Sequence, residues 1–240
     1  MLLPTIYQGR TKYYDLIYAW KNYRAEATKL KQLIKKYKKS PGQDLLEVAC
    51  GTGQHIKYLK KDFSILGTDI SPGMLKLARR KNPGVPFKQA DMTRLKLNQQ
   101  FDVILCLFSS LGCAKTLSGL KQTLQNFSAH LKPGGVVIIE PWISPTNYRV
   151  GTTHLTTYHS SDIKIARLVV SKKQGQLSLM DIHYLVAEPN QPVKYFVDRH
   201  VMGLFSQANT LKLIRQAGLQ ARFLKNSLTD KRGLYIGLKK

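Results

Sequence analysis

The chain has 240 residues, enough for one full core and for at most two domains. Hydrophobic residues make up 43% of it, which excludes overall disorder. The 38 Lys and Arg against 14 Asp and Glu leave a net charge of +24, which favours anionic partners and does not bear on fold. Residues 1–20 mix aromatic and polar side chains without a clear period. Over residues 23–39 the apolar positions Ala27, Leu30, Ile34 and Tyr37 step by 3, 4 and 3, a helical stripe with lysines on its other faces. Pro41-Gly42 ends it.

Strands and helices then alternate. Residues 44–50 read as a short buried strand, Gly51-Thr52-Gly53 as a turn and residues 54–61 as a helix. A second strand covers 64–70. Ser71-Pro72 is a helix start, with Ser as N-cap and Pro in the first turn, and the helix runs to about Lys81. Residues 85–90 form a third strand. A fourth, 101–108, is nearly all apolar and therefore buried on both faces. Leu117, Leu120, Leu124, Phe127 and Leu131 mark another helix. Pro133-Gly134-Gly135 reads as a turn into a fifth strand, 136–140. Such alternation implies a parallel sheet with right-handed crossovers. Residues 152–205 change texture: period-2 stretches at 163–170 and 177–186 flank Gln174-Gly175, a hairpin signal. They predict an inserted antiparallel sheet. Ser206 caps a helix over 207–217, stopped by Gly218, and two strands near 221–226 and 234–238 close the α/β sheet. The expected division is 1–141 for the N-terminal helices and α/β core, 142–205 for the insert and 206–240 for the closing elements.

Cys50, Cys106 and Cys113 are odd in number, and two lie in apolar runs, which predicts reduced thiols and a cytoplasmic chain. No Cys/His spacing suggests a metal site. No apolar run approaches the ~18 residues that span a bilayer, so no membrane partner is expected.

The strongest chemical signal is Glu47-Val-Ala-Cys-Gly51-Thr-Gly53, ending one strand and opening a helix. Glycines there let backbone approach a ligand, and the carboxyl ends of strands are where open α/β sheets bind. Asp69 follows 22 residues after Glu47, at the end of the next strand, where a carboxylate can accept both ribose hydroxyls. Asp91 ends the strand after that. A nicotinamide-type dehydrogenase would show G-x-G-x-x-G, whereas Gly53 is followed here by Gln54-His55-Ile56, without a third glycine.

This pattern resembles the class I S-adenosylmethionine-dependent methyltransferases over about residues 44–140. The resemblance implies a Rossmann-like, seven-stranded, mostly parallel sheet with helices on both faces. It places Glu47, Ala49, Gly51 and Gly53 around the methionine part of the cofactor, Asp69, Ile70 and Met74 at the ribose, and Asp91 and Met92 at the adenine. More narrowly, Tyr14-Asp-Leu, Ala78-Arg-Arg-Lys-Asn-Pro83, Leu107-Phe-Ser-Ser-Leu-Gly112, Glu140-Pro-Trp142, Ile182-His-Tyr-Leu-Val-Ala187 and Arg232-Gly-Leu234 are similar to the N,N-dimethyltransferases that act on nucleotide-linked deoxyamino sugars in macrolide pathways. That family implies a homodimer built through the inserted sheet. It also implies a tyrosine and a histidine flanking the acceptor amine. Here these fall on Tyr7 and on Cys113, so the histidine is absent. Tyr14, Tyr23 and Leu107 are further cofactor candidates. Ser109, Trp142, His183 and Arg232 are substrate candidates. Packing is the alternative for Tyr14 and Trp142, a solvated surface for Arg232 and structural hydrogen bonding for His183.

Three functions follow. The first is methyl transfer to a small-molecule amine, with a nucleotide-linked amino sugar as its narrower form. The second is methylation of RNA, favoured by the +24 charge. No aromatic-interleaved platform supports it, and Phe108-Ser109-Ser110-Leu111 replaces the Pro-Pro element of nucleic-acid amino methyltransferases. The third is a non-enzymatic nucleic-acid-binding module, disfavoured by the intact Glu47, Asp69 and Asp91.

Overall fold

A computed structural model describes residues 4–7, 9–225, 228 and 232–240. Short 3-10 turns at Thr5–Tyr7 and Thr11–Tyr13 lead into α1 (Tyr14–Ile17) and α2 (Tyr23–Tyr37). The α/β alternation follows as β1 (Asp44–Val48), α3 (Ile56–Leu59), β2 (Ser64–Asp69), α4 (Pro72–Lys81), β3 (Phe87–Gln89), β4 (Phe101–Cys106), α5 (Leu117–Ala129) and β5 (Leu131–Ile139). After it come β6 (Thr153–His159), β7 (Lys164–Val170), β8 (Lys172–Gln174), β9 (Leu177–Ala187) and β10 (Lys194–Gly203). The chain closes with α6 (Gln207–Gln216), β11 (Leu219–Leu224) and β12 (Leu234–Lys239).

The first sheet has seven strands in the order β11-β12-β5-β4-β1-β2-β3. Its pairs from β5 through β3 are parallel, and β12 runs antiparallel to both neighbours. This is the expected mostly parallel architecture. Every residue of β4 is buried, as its unbroken apolar run requires of a central strand. Leu30, Ile34, Leu59 and Leu75 from α2, α3 and α4 pack on one face. Leu120, Leu124, Phe127 and Ile214 from α5 and α6 pack on the other. The caps follow from local chemistry: Ser71 Oγ accepts from the Met74 N–H at 3.1 Å, and Ser206 Oγ from Asn209 at 3.2 Å.

Several expectations shift. The Pro133-Gly134-Gly135 stretch is a bulge inside β5, not a turn before it. Phe101 pairs with Leu131 and Val103 with Val136, so residues 132–135 are looped out of register. The helix expected over 54–61 shortens to α3, and the strand over 85–90 to β3. The strand expected over 101–108 stops at Cys106, because Phe108 and Ser109 take φ of 50° and 66°. The penultimate strand begins earlier, at Leu219, and Asn226, expected to end it, lies outside the described residues.

The insert is a separate antiparallel sheet in the order β10-β9-β7-β6, with β8 paired to β9 across the Gly175 hairpin. Its inner face carries Ile165, Val169, Met180, Ile182, Tyr184, Val186 and Phe196. The N-terminal segment covers that face with Ile6, Tyr13 and Ile17. Ile6 N–H donates to buried Asp198 at 2.9 Å, and the Tyr13 hydroxyl to Glu188 at 3.1 Å. The unpatterned N-terminus is therefore the second layer of the inserted sheet.

Phe127 is fully buried between α5 and the main sheet. Phe127→Ala leaves a large cavity and should cost about 3–5 kcal/mol, read as a lower urea midpoint with unchanged slope.

Candidate active site

β1 and β2 are parallel neighbours, so the chain leaves both at one edge of the sheet. After Val48 it turns sharply, with Ala49, Gly51 and Gly53 at φ of 54°, 56° and 72°. Glycine is suited to the last two, and a Cβ on Gly53 would lie 2.7 Å from Asn82 Nδ2. Asp69 holds this turn from the next strand. Its Oδ2 accepts the Gly51 N–H and its Oδ1 the Ser71 N–H, each at 2.8 Å. Burial pushes the Asp69 carboxyl up, and the N–H bonds from Ser71, Gly51 and Ile70 oppose that shift. Ile70 is exposed beside it and Met74 is buried beneath. One strand further, Asp91 Oδ1 accepts from Thr93 N–H at 2.8 Å and Thr93 Oγ1 at 2.9 Å, with Met92 buried next to it.

A second layer supports the turn from below. Asp15 of α1 accepts from Thr52 Oγ1 at 2.6 Å and Gln54 Nε2 at 3.0 Å, and pairs with Lys81. Glu47 and His55 are both buried, with Glu47 Oε1 3.5 Å from His55 Nδ1. His55 Nε2 lies 2.7 Å from Glu26 Oε2, and Glu26 Oε1 pairs with Lys21. Tyr23 sets its ring edge-on to His55 at 5.1 Å. Among the described residues Glu47 Oε2, although buried, has no hydrogen-bond donor.

The far side is aromatic. The Tyr7 ring lies 5.9 Å from Tyr14 and 5.3 Å from His200, Tyr14 is 4.8 Å from Tyr18, and Tyr18 is 4.9 Å from Phe108. Burial raises the Tyr7 and Tyr14 hydroxyls, so both stay protonated and able to donate. Cys113, solvent-exposed in the turn after β4, lies near enough for its charge state to act on Tyr7. Leu107 is buried just before the left-handed pair Phe108-Ser109. Glu140 fixes that pair by accepting the Phe108 N–H at 2.7 Å. Ser109 Oγ then donates to the Pro141 carbonyl at 3.1 Å and accepts from Arg232. The Arg232 guanidinium sits 5.0 Å over the Trp142 ring. Gly112 lets this corner dock on the insert, since a Cβ there would lie 2.8 Å from Met202 and 3.2 Å from Trp142.

The candidate residues thus fall into three groups along one edge. Glu47, Ala49, Gly51, Gly53, Asp69, Ile70, Met74, Asp91 and Met92 line the strand ends, with Tyr23 behind His55. Tyr7 and Tyr14, with Cys113 close by, form the aromatic side. Ser109, Trp142 and Arg232 form a third cluster. His183 joins none of them. It is exposed on the outer face of β9 and bonds the Tyr195 hydroxyl at 2.7 Å, because its neighbours Ile182 and Tyr184 take the inner face. Sequence reasoning missed Lys21, Glu26, Tyr18, Arg167 and His200. Glu26 left a signal, as it stands four residues before Leu30 on the apolar stripe of α2. Arg167 left one too, a charge in step with Ile165 and Val169 on the period-2 stretch 163–170, while Lys21, Tyr18 and His200 sit in segments with no period to break.

S-adenosylmethionine suits this edge. Its sulfonium and ammonium are cations, matched by three carboxylates, its ribose offers two hydroxyl donors, and Glu47 lacks a donor. Fold and site together define a class I S-adenosylmethionine-dependent methyltransferase.

Comparison with known proteins agrees. A family model described as a methyltransferase domain matches residues 45–135. A dTDP-3-amino-3,4,6-trideoxy-alpha-D-glucopyranose N,N-dimethyltransferase of Streptomyces venezuelae is 34% identical, covering 94% of this chain and 95% of its own. A dTDP-3-amino-3,6-dideoxy-alpha-D-glucopyranose N,N-dimethyltransferase of Streptomyces fradiae is also 34% identical, over 94% and 89%. Among solved structures, Streptomyces venezuelae DesVI superposes with a TM-score of 0.90 at 33% identity, covering 96% of this chain and 98% of that one. CalS10, an amino pentose methyltransferase of Micromonospora echinaspora solved with the cofactor bound, gives 0.85 at 27%, covering 97% of each. The chain belongs to the sugar N-methyltransferase family and uses S-adenosylmethionine. These relatives support the small-molecule reading and give no support to RNA methylation. Among the described residues no helix is long and apolar enough to cross a membrane.

Asp69→Ala removes the carboxylate expected at the ribose hydroxyls and unpairs two backbone N–H groups. Each such bond to a charged group is worth about 1.5–3 kcal/mol, so the calorimetric Kd for S-adenosylmethionine should rise roughly 10- to 100-fold. An unchanged Kd would remove Asp69 from the site.

Proposed function

We propose that this protein methylates the amino group of a nucleotide-linked amino sugar. The observation that carries this reading is the cluster of Arg232, Ser109 and Trp142 at the strained corner after β4. A guanidinium presents paired donors to a diphosphate, and an indole face packs on a sugar or base. The buried Trp142 Nε1 has no acceptor among the described residues, so a ligand oxygen is its natural partner. Three of the similar relatives are each named for a dTDP-linked amino sugar.

The cofactor supplies a methyl group on an electrophilic sulfonium. The chain's task is to bring a neutral amine in line with it at ~3–3.5 Å. Tyr7 and Tyr14 orient the amine from the aromatic side, and residues 142–205 supply the acceptor wall. Cys113 offers only a weak hydrogen bond where a base could stand. A positioned base contributes about 10²–10⁴-fold, so this chain works by delivery of the amine already neutral. The free thiols fit a reducing, cytoplasmic setting.

A second copy of the chain fits the outer face of the insert. Leu155, Leu168, Val170, Leu185, Tyr195 and Val197 are all exposed there on adjacent strands. An apolar patch of this kind is a common mark of an interface. Sedimentation should show a dimer, and Leu168→Glu should shift it to monomer; a monomeric wild type would refute the dimer.

Incubating the protein with S-adenosylmethionine and a dTDP-linked amino sugar should yield methylated sugar by mass spectrometry. Arg232→Ala should raise KM for the sugar roughly 10- to 100-fold, the loss of one charge-assisted bond, while leaving the cofactor Kd unchanged. Cys113→His should retain or raise turnover. No transfer by the wild type, or loss of turnover on introducing histidine, would defeat the assignment.

A further inference from the structure

Four charged side chains run in a line beneath the glycine turn. Lys21 pairs with Glu26, Glu26 meets His55 Nε2 at 2.7 Å, and His55 Nδ1 faces Glu47 at 3.5 Å. All four are buried. Their signs alternate, so the line is neutral only while His55 is an imidazolium. Without that proton, one buried lysine faces two buried carboxylates, which is costly in a low dielectric. Burial pushes the His55 imidazole down, but hydrogen bonds to Glu26 and Glu47 overcome this and raise it to about 9.

The line ends in an incomplete group. Glu47 Oε2 is buried and has no donor among the described residues, at a cost of about 1–3 kcal/mol while unmet. Asp69, by contrast, already takes two backbone N–H groups. The cofactor's sulfonium donates no hydrogen bond, so its α-ammonium is the one charged donor it can bring to Glu47, directly or through one ordered water. We infer that Lys21, Glu26 and His55 are positioning residues for Glu47, holding its carboxylate for the amino-acid end of S-adenosylmethionine, so that cofactor affinity depends on the His55 proton.

Other charged and titratable groups near His55 leave that dependence in place. From α2 come Glu26 and the Tyr23 ring, and from β1 comes Glu47. Lys21 acts through Glu26 and also lies 4.7 Å over the Phe108 ring. Asp15 is paired with Lys81. Glu140 lies beyond, its carboxyl raised by burial and lowered by Lys21.

Binding of two ligands tests the inference without any turnover. S-adenosylmethionine carries the amino-acid end, and 5′-methylthioadenosine lacks it. His55→Gln should raise the calorimetric Kd for the first roughly 10-fold at about pH 7, in the range lost when a supporting partner is removed. It should leave the Kd for the second unchanged, which also shows that the variant is folded. The ratio of variant to wild-type Kd should fall to about 1 at about pH 10, where wild-type His55 has lost its proton. The ligand's own amino group titrates near 8, so Glu26→Gln separates the two. It should move the wild-type inflection to lower pH, in step with the His55 imidazole followed by NMR. A ratio independent of pH, an inflection unmoved by Glu26→Gln, or equal losses for both ligands would overturn the inference. Failure of the wild type to bind either ligand would instead remove the cofactor site on which it rests.

Discussion

Both oxygens of Asp69 are hydrogen-bonded to main chain, one to Gly51 and one to Ser71. Those residues open the turns after β1 and β2, so one carboxylate sets the spacing of the two strand ends. The turn after β1 is costly on its own, with Ala49 in a left-handed conformation that a side chain resists. Asp69 from one side and Asp15 from the other hold it there. Because the second bond from Asp69 fixes Ser71, it also sets the start of α4 and the place of the buried Met74. A ligand edge of this kind is rigid before anything binds. The chain has met the ordering cost in folding, and little of it remains to weaken binding.

The cofactor edge was readable because it is local. Glu47 through Met92 spans less than fifty residues, β1 and β2 have apolar centres, and the turns carry glycine, serine and proline in the places their backbone demands. The same logic places α4 from the Ser71 cap to about Lys81, where it is found. What could not be read shares one cause, which is long-range pairing. The bulge in β5 exists because β4 and β5 must realign after Phe101, and nothing within 132–135 alone distinguishes a bulge from a turn. His183 lay within a matching stretch, yet the period of a strand places it opposite the inner face, a fact visible only once that face is known. The N-terminal segment has no period because it is irregular backbone packed on a sheet formed much later in the chain.

The charge of +24 is the feature most at odds with the site. The cofactor edge concentrates acids, with Glu47, Asp69 and Asp91 at successive strand ends, because the ligand there is cationic. Most of the basic side chains lie elsewhere, as on the exposed faces of α2. Local charge at a buried edge decides binding, since exposed charges beyond about 10 Å are screened by salt. Arg232 is a basic residue with a defined place, bonded to Ser109 and set over the Trp142 ring.

The two halves of the site are assembled differently, and this has a consequence for specificity. The cofactor half comes chiefly from residues 47–92, braced by Asp15, Lys21 and Glu26 from the N-terminal segment. On the proposed reading the acceptor half draws Tyr7 from the N-terminal segment, Trp142 from the stretch after β5 and Arg232 from just before β12. Ser109 and Glu140 are the hinge between them, since Glu140 braces the corner from which Ser109 reaches Arg232. Substitutions on the insert therefore leave the Asp69 bonds in place, whereas the N-terminal segment is tied to the glycine turn through Asp15 and to Ser71 through the Tyr7 carbonyl. Cys113 fits this division. It stands in the turn after β4 that docks on Met202 of the insert, outside the strand-end bonds that hold the cofactor edge. On the proposed reading a change there alters how an amine is met and leaves the strand-end bonds of Asp69 intact, so acceptor choice can vary on a fixed methyl donor site.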